Sequence, residues 1–193
     1  MLNRNLFANL PDLETDRLRL RRLRIDDASE IFLYASDREL PRYMTWDAHQ
    51  TLDDTRAFLN ATVDSYSNPT PREWVWGIVL KETGRIIGAC SIFGQPEHAR
   101  AEIGYWIGRP FWGAGLVTEA AGAIIKLAFD QMGLNRIEAR CYPENVASAR
   151  VMIKNGMVYE GTLREQMFVK GHFGDFQMYA ILRREYLERR EAR

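Results

Sequence analysis

The sequence predicts an α+β domain spanning residues 1–193, a mostly antiparallel mixed sheet of about seven strands flanked by about four helices. Three observations carry that expectation. Segments with two-residue apolar alternation are interleaved with segments of helical period, in the order β-α-α-β-β-β-α-β-α-β-β. Three successive strand-like segments, residues 73–80, 86–93 and 101–107, are joined by short connectors, as an antiparallel meander requires. A chain of 193 residues with 46% hydrophobic and 27% charged content is also large enough to bury one substantial core.

Residues 13–24 alternate leucines with charged side chains and read as an edge strand. Asp26 and Asp27 start a helix to about Ala35, with Ile31, Phe32 and Tyr34 as buried candidates. Residues 37–49 form a loop around Pro41 that carries Tyr43, Met44 and Trp46. Thr51 or Asp53 caps a second helix to about Tyr66, stopped by Asn68-Pro69-Thr70-Pro71. In the meander that follows, Trp74 and Trp76 share one strand face and belong to the core. A third helix covers residues 118–131, and residues 136–141 form the next strand. Asn145, Ser148, Lys154 and Gly156 mark a fourth helix. Residues 158–170 and 176–182 are the last strands, joined around Gly171-His172-Phe173-Gly174, and residues 183–193 read as a solvated basic tail.

Composition narrows the function classes. The 26 basic and 26 acidic residues cancel, so no broad field favours nucleic acid. No run is long enough to span a membrane, and no apolar stretch follows the N-terminal charges, so no membrane partner is expected and the cytoplasm is the expected compartment. Cys90 and Cys141 fall inside strands and read as buried free thiols. His49, His98 and His172 lie in loops without the spacing of a metal site or a triad, so no metal is expected.

The most informative segment is Trp112-Gly113-Ala114-Gly115-Leu116-Val117-Thr118, with Glu119 next. A strand, a loop with two glycines and a helix start together form an anion site: successive backbone N–H groups and the positive end of the helix dipole point one way. The expected guest is a phosphate or pyrophosphate. The loop lacks the Gly-Lys-Ser/Thr of a Walker loop and the third glycine of a dinucleotide fingerprint. Further on, Asn145 and Ser148 are three residues apart and share a helix face, while Lys154 and Gly156 close that helix.

Taken in order, these segments resemble the GCN5-related N-acetyltransferases, and within them the RimJ/RimL branch that acetylates ribosomal-protein N-termini. Residues 13–21 (LETDRLRLR) match the opening strand of that branch, and the resemblance continues through residues 112–121 and the Asn145/Ser148/Lys154/Gly156 set. It ends at residues 160–164, Asp175 and residues 179–182. It implies the acetyltransferase fold and acetyl transfer from acetyl-CoA to a primary amine, foremost the N-terminal α-amine of a ribosomal protein. Small-molecule amines (antibiotic, polyamine or amino-acid-like) and a non-catalytic acyl-CoA-binding module are the alternatives; family members also admit a homodimer. The cofactor set it implies is Ile107, Trp112, Gly113, Ala114, Gly115, Leu116, Val117, Thr118, Asn145, Ser148 and Lys154. Val117 stands where the family carries Gly or Ala, its side chain facing either the pyrophosphate or the core.

Acetyl transfer needs a polarised thioester carbonyl, a neutral amine and a stabilised thiolate. The resemblance assigns residues 101–107 to the pantetheine arm and a backbone N–H to the carbonyl, a donor worth about 3–4 kcal/mol in an oxyanion hole. Ser148 is the candidate donor to the leaving thiolate, because a thiol of pKa about 8.5 ends protonated near neutrality. Asn145 reads also as a helix N-cap and Ser148 as a first-turn helper, roles that do not exclude ligand contact. Glu102, sharing a strand face with Trp106, is either a general base or a solvated strand glutamate. An α-amine of pKa about 7.8 is already roughly a quarter neutral near pH 7.3, so its base need only be modest. Tyr43, Trp46, Tyr105 and Tyr179 are the acceptor-site candidates, with Met44 and Asp175 beside them; Tyr179 reads also as a core tyrosine, and the 43–46 aromatics as a lid over the core.

Overall fold

The computed structural model describes residues 11–68 and 72–192; the expected absence of an N-terminal apolar stretch and part of the Asn68–Pro71 helix stop lie outside the described residues. Within them, strands β1 (Leu13–Glu14), β2 (Leu18–Arg21), β3 (Glu73–Leu80), β4 (Ile86–Gln95), β5 (Arg100–Ile107), β6 (Arg136–Cys141), β7 (Val158–Val169) and β8 (His172–Leu182) form one sheet. Helices α1 (Ala28–Ala35), α2 (Leu52–Ser65), α3 (Leu116–Asp130), α4 (Val146–Lys154) and α5 (Arg183–Glu191) complete it. The sheet order is β1-β2-β3-β4-β5-β6-β8-β7. Only β5 and β6 pair in parallel; the other neighbours are antiparallel, and the α+β class stands.

Three boundaries differ from expectation. The single strand at 13–24 is a small hairpin, with Leu13 opposite Leu20. Thr15 folds it: its N–H reaches Leu18 O at 2.9 Å and its hydroxyl accepts from Leu18 N–H at 3.0 Å. The hairpin of β7 and β8 turns not over residues 171–174 but at Lys170-Gly171, whose φ values of 51° and 82° are the two left-handed positions of a tight hairpin turn. The basic tail folds as α5, its N-terminus closed by Glu185 Oε2 accepting from Leu182 N–H at 2.9 Å. Tyr186 stacks on Phe129 at 5.0 Å, and Arg183 donates to the Phe129 carbonyl.

Both sheet faces carry a core. On one, Trp74, Trp76, Ile78, Ile103 and Ile107 pack against α3 and its Ile124, Ala128 and Phe129. On the other, Val75, Val79 and Ala89 meet Ile31 of α1 and Leu59 of α2. This is the period-2 signature of a strand buried on both sides, and it explains why β3 reads as a nearly continuous apolar run. Cys90 and Cys141 are buried and unpaired by disulfide, as expected, and burial pushes the Cys141 thiol up to about 11. Among the described residues, no helix is long and apolar enough to cross a membrane.

The feature that matters for function is where β5 and β6 part. Their parallel ladder covers only Arg100–Arg136, Ala101–Ile137 and Glu102–Glu138. Beyond it β5 follows β4 to Ile107, while β6 follows β8 to Cys141. The two strands diverge and leave a wedge in the middle of the sheet.

Candidate active site

The wedge opens into a cavity of about 540 Å³. Gly108 N–H bonds Ile87 O at 2.8 Å, so even-numbered β5 residues spend their main-chain groups on β4. The odd-numbered Ile103, Tyr105 and Ile107 therefore turn theirs toward the wedge, where β6 no longer offers a ladder. The Ile107 carbonyl is taken by the Trp112 indole N–H at 2.8 Å, which also pins that otherwise half-exposed ring over the strand end.

Two helix N-termini close the cavity. Gly113 and Gly115 both have φ of 76°, a conformation costly for any residue with a Cβ. Gly115 is the N-cap of α3 and has no side chain to cap with, so the helix starts at Leu116, two residues earlier than expected. The first N–H bonding back across it is that of Glu119, to Gly115 O at 3.1 Å. The donors of Leu116, Val117 and Thr118 thus stay open toward the cavity these residues line, as first-turn N–H groups do. Val117 serves both of its readings, half-buried against the core and present in the lining. At α4, the Asn145 side chain accepts from Ser148 N–H at 3.1 Å and is a true N-cap, yet it and Ser148 also line the cavity.

Tyr105 and Ser148 meet inside. The phenol oxygen lies 3.0 Å from Ser148 Oγ and 3.2 Å from the Ser148 carbonyl. Burial pushes the Tyr105 phenol well above its ordinary range, outweighing the hydrogen bond to Ser148, so it stays a protonated donor. When the phenol donates to the carbonyl, the Ser148 hydroxyl proton is held beside it and can be directed into the cavity. Arg150 and Lys154, four residues apart and so on one face of α4, also line the cavity. Arg150 escaped the sequence reading, although its four-residue spacing from Lys154 carried the signal.

At the other end, Leu40, Arg42, Tyr43 and Met44 form the wall together with Glu39 and Glu144. Tyr43 leans on Tyr142 at 6.0 Å, and Tyr142 stacks on Phe176 at 4.4 Å. Lys170, in the β7–β8 turn, donates to Pro41 O at 2.7 Å and ties the hairpin tip to this wall. Nothing local in the sequence joins residues 40–44 to 142 or 170, and only Tyr43 and Met44 were legible as candidates.

Four expected residues stand elsewhere. Ala114 is absent from the lining; its carbonyl turns outward to Arg17 at 2.9 Å. Trp46 packs behind the lining, edge-on to Trp106 at 6.0 Å and near His49 at 5.6 Å. Tyr179 is buried against Tyr159 at 5.4 Å, outside the lining, as a core tyrosine would be. Glu102 also lies outside it: Arg140 spans both carboxylate oxygens at 2.6 Å, on the strands' last shared rung. A carboxylate so engaged is a strut at the apex of the wedge, with both oxygens already taken by Arg140. Asp175 accepts from Glu165 N–H at 2.8 Å and steadies the irregular middle of β7. Among the described residues no cluster of His, Cys, Asp or Glu could hold a metal ion.

The profile described as an acetyltransferase (GNAT) domain matches residues 17–158. The uncharacterized N-acetyltransferase p20 of Bacillus licheniformis is 35% identical over 179 residues, covering 90% of this chain and 97% of its own length. The ribosomal-protein-serine acetyltransferase of Escherichia coli K12 is 28% identical over 132 residues, covering 68% of this chain and 72% of its own. The crystal structure of a GNAT-family acetyltransferase from Bacillus anthracis matches with a TM-score of 0.80 at 29% identity, covering 90% of this chain and 99% of that one.

Proposed function

We propose, for a chain that belongs to the GNAT family of acetyltransferases, that it moves the acetyl group of acetyl-CoA to the N-terminal α-amine of a protein, a ribosomal protein first among them. The observation that carries this reading is the wedge itself. It offers strand N–H groups on one side, two helix N-termini on the other and a protonated Tyr105–Ser148 pair between them. That is what a long thioester with an anionic tail requires: an extended arm lies against the free edge of β5, a pyrophosphate meets the open donors of residues 113–118, and Arg150 and Lys154 add positive charge nearby.

The reaction needs little more. The amine nitrogen attacks the thioester carbonyl carbon, a C–N bond forms, the C–S bond breaks, and the amine proton leaves to solvent. Main-chain N–H groups of the wedge receive the charge that develops on the carbonyl oxygen. Ser148, held by Tyr105 and by the first turn of α4, donates to the departing sulfur. With Glu102 occupied by Arg140, the neutral fraction of an α-amine, roughly a quarter near pH 7.3, supplies the nucleophile without a dedicated base. A lysine side chain, neutral at about one part in a thousand there, is served far worse. The E. coli relative acts, by its name, on a ribosomal protein, and the wall of Leu40, Tyr43 and Met44 suits a chain end with apolar neighbours.

The test is transfer of labelled acetyl from acetyl-CoA into a ribosomal-protein extract of the host, with the modified site mapped by mass spectrometry. Label on one or two protein N-termini is expected. Coenzyme A binding without any protein label would move the acceptor to a small-molecule amine.

A further inference from the structure

The donors proposed to meet the pyrophosphate are backbone N–H groups, and such a site works only if its peptide planes already face the right way. Gly113-Ala114-Gly115 is the stretch least able to hold its own planes, because both flanking glycines sit at φ of 76° with rotational freedom on either side of Ala114. Something outside the loop has to hold them.

Arg17 does so from behind. Its Nη1 donates to the Ala114 carbonyl at 2.9 Å, and Arg17 is not part of the cavity lining. In a trans peptide the carbonyl of one residue and the N–H of the next point in opposite directions, and no cis peptide occurs among the described residues. With the Ala114 carbonyl drawn out to Arg17, the Gly115 N–H is turned to the opposite side, where Gly113 and Gly115 line the cavity. The guanidinium is anchored in its turn: Nε and Nη2 both reach Glu119 Oε2 at 2.7 Å. Glu119 Oε1 accepts from the Arg17 N–H at 2.9 Å and the Thr15 hydroxyl at 2.6 Å. Burial pushes the Glu119 carboxyl up, but these donors outweigh it and hold it below the ordinary range, so it stays charged. Because Glu119 lies in the first turn of α3, the clamp fixes loop, helix start and the β1–β2 turn as one unit.

We infer that Arg17 is a positioning residue for pyrophosphate recognition, presetting the Ala114–Gly115 peptide so that its N–H faces the anion, and not itself a ligand. This rests on the loop of residues 113–118 being the pyrophosphate site of acetyl-CoA.

The experiment is calorimetric titration of the full chain and of Arg17→Ala and Arg17→Lys with coenzyme A, dephospho-coenzyme A and pantetheine. Arg17→Ala weakens coenzyme A and dephospho-coenzyme A by the same factor, about ten-fold for the loss of one charge-assisted orienting contact, and leaves pantetheine unchanged. Arg17→Lys keeps the charge and the fold but cannot span Ala114 and Glu119 together, so it stays near the alanine value. A loss seen with coenzyme A and not with dephospho-coenzyme A makes Arg17 a direct ligand of the 3′-phosphate and overturns the inference. Full rescue by lysine overturns it in favour of a general field effect, and an equal loss for pantetheine overturns it in favour of a distorted fold. If the unmodified chain binds coenzyme A no better than pantetheine, the loop reading itself fails, independently of Arg17.

Discussion

At one end of the cavity, residues 113–118 and the first turn of α4 present main-chain donors and helix ends. At the other, Leu40, Tyr43 and Met44 present side chains from a loop braced by Tyr142 and by Lys170 of a distant hairpin. On the proposed function, the contrast is between a donor held by backbone and an acceptor recognised by side chains. Backbone recognition depends on dihedral angles and helix position, so a few glycines and one clamp specify it. Side-chain recognition depends on which segments the fold brings together, so it can vary without disturbing the donor.

Four perturbations test that division, taken from the largest expected effect to the smallest. Ser148→Ala acts where the two ends meet and is expected to lower kcat by roughly one to three orders of magnitude, with the coenzyme A Kd nearly unchanged, since the Asn145 cap uses the Ser148 N–H and not its hydroxyl. An equal loss in binding would reduce Ser148 to a cofactor contact. Gly115→Val forces a β-branched residue to φ of 76° and is expected to weaken coenzyme A roughly ten- to hundred-fold, through about 1–3 kcal/mol of backbone strain, while acceptor KM holds. Calorimetry beside steady-state kinetics reads both quantities, and a matching rise in acceptor KM would erase the distinction between the ends.

Tyr43→Ala should do the reverse, raising acceptor KM by roughly two- to ten-fold through the lost aromatic contact and leaving coenzyme A affinity alone. Glu102→Gln is expected to do least. The pair with Arg140 is partly solvated, with side chains 23% and 31% exposed, so its loss costs below about 1 kcal/mol of stability by thermal unfolding and leaves the pH profile of kcat/KM unmoved. A rate loss concentrated at low pH would instead return Glu102 to the role of base.

Legibility in the sequence follows the same division. Gly113, Gly115 and the helix after them were readable because glycine dihedral freedom and a helix start are local properties of consecutive residues. Asn145 and Ser148 were readable because helical spacing alone puts them on one face. The hydroxyl of Tyr105 beside Ser148 was not, since 43 residues separate them and only the tertiary fold brings the two side chains together. Trp46 and Tyr179, which stand outside the lining, were ambiguous for a related reason. Aromatic residues near a site and aromatic residues in a core have the same local pattern, and packing decides between them. Residues 13–24 alternate correctly for a strand along their whole length; what breaks them into a hairpin is Thr15, whose hydroxyl and N–H both turn back on Leu18 while the same hydroxyl grips Glu119.

The sequence by itself determined the α+β class, the glycine-bearing loop ahead of one helix and the Asn145 start of the next, because periodicity, glycine dihedral freedom and helix end chemistry all act over a few residues. Tertiary structure alone decided that β5 and β6 part after three rungs, that Arg140 claims Glu102, that Arg17 holds the loop from behind and that Lys170 braces the wall of residues 40–44. Each of these is a contact between segments far apart in the chain, and its geometry is set by how the layers pack, which no local pattern encodes.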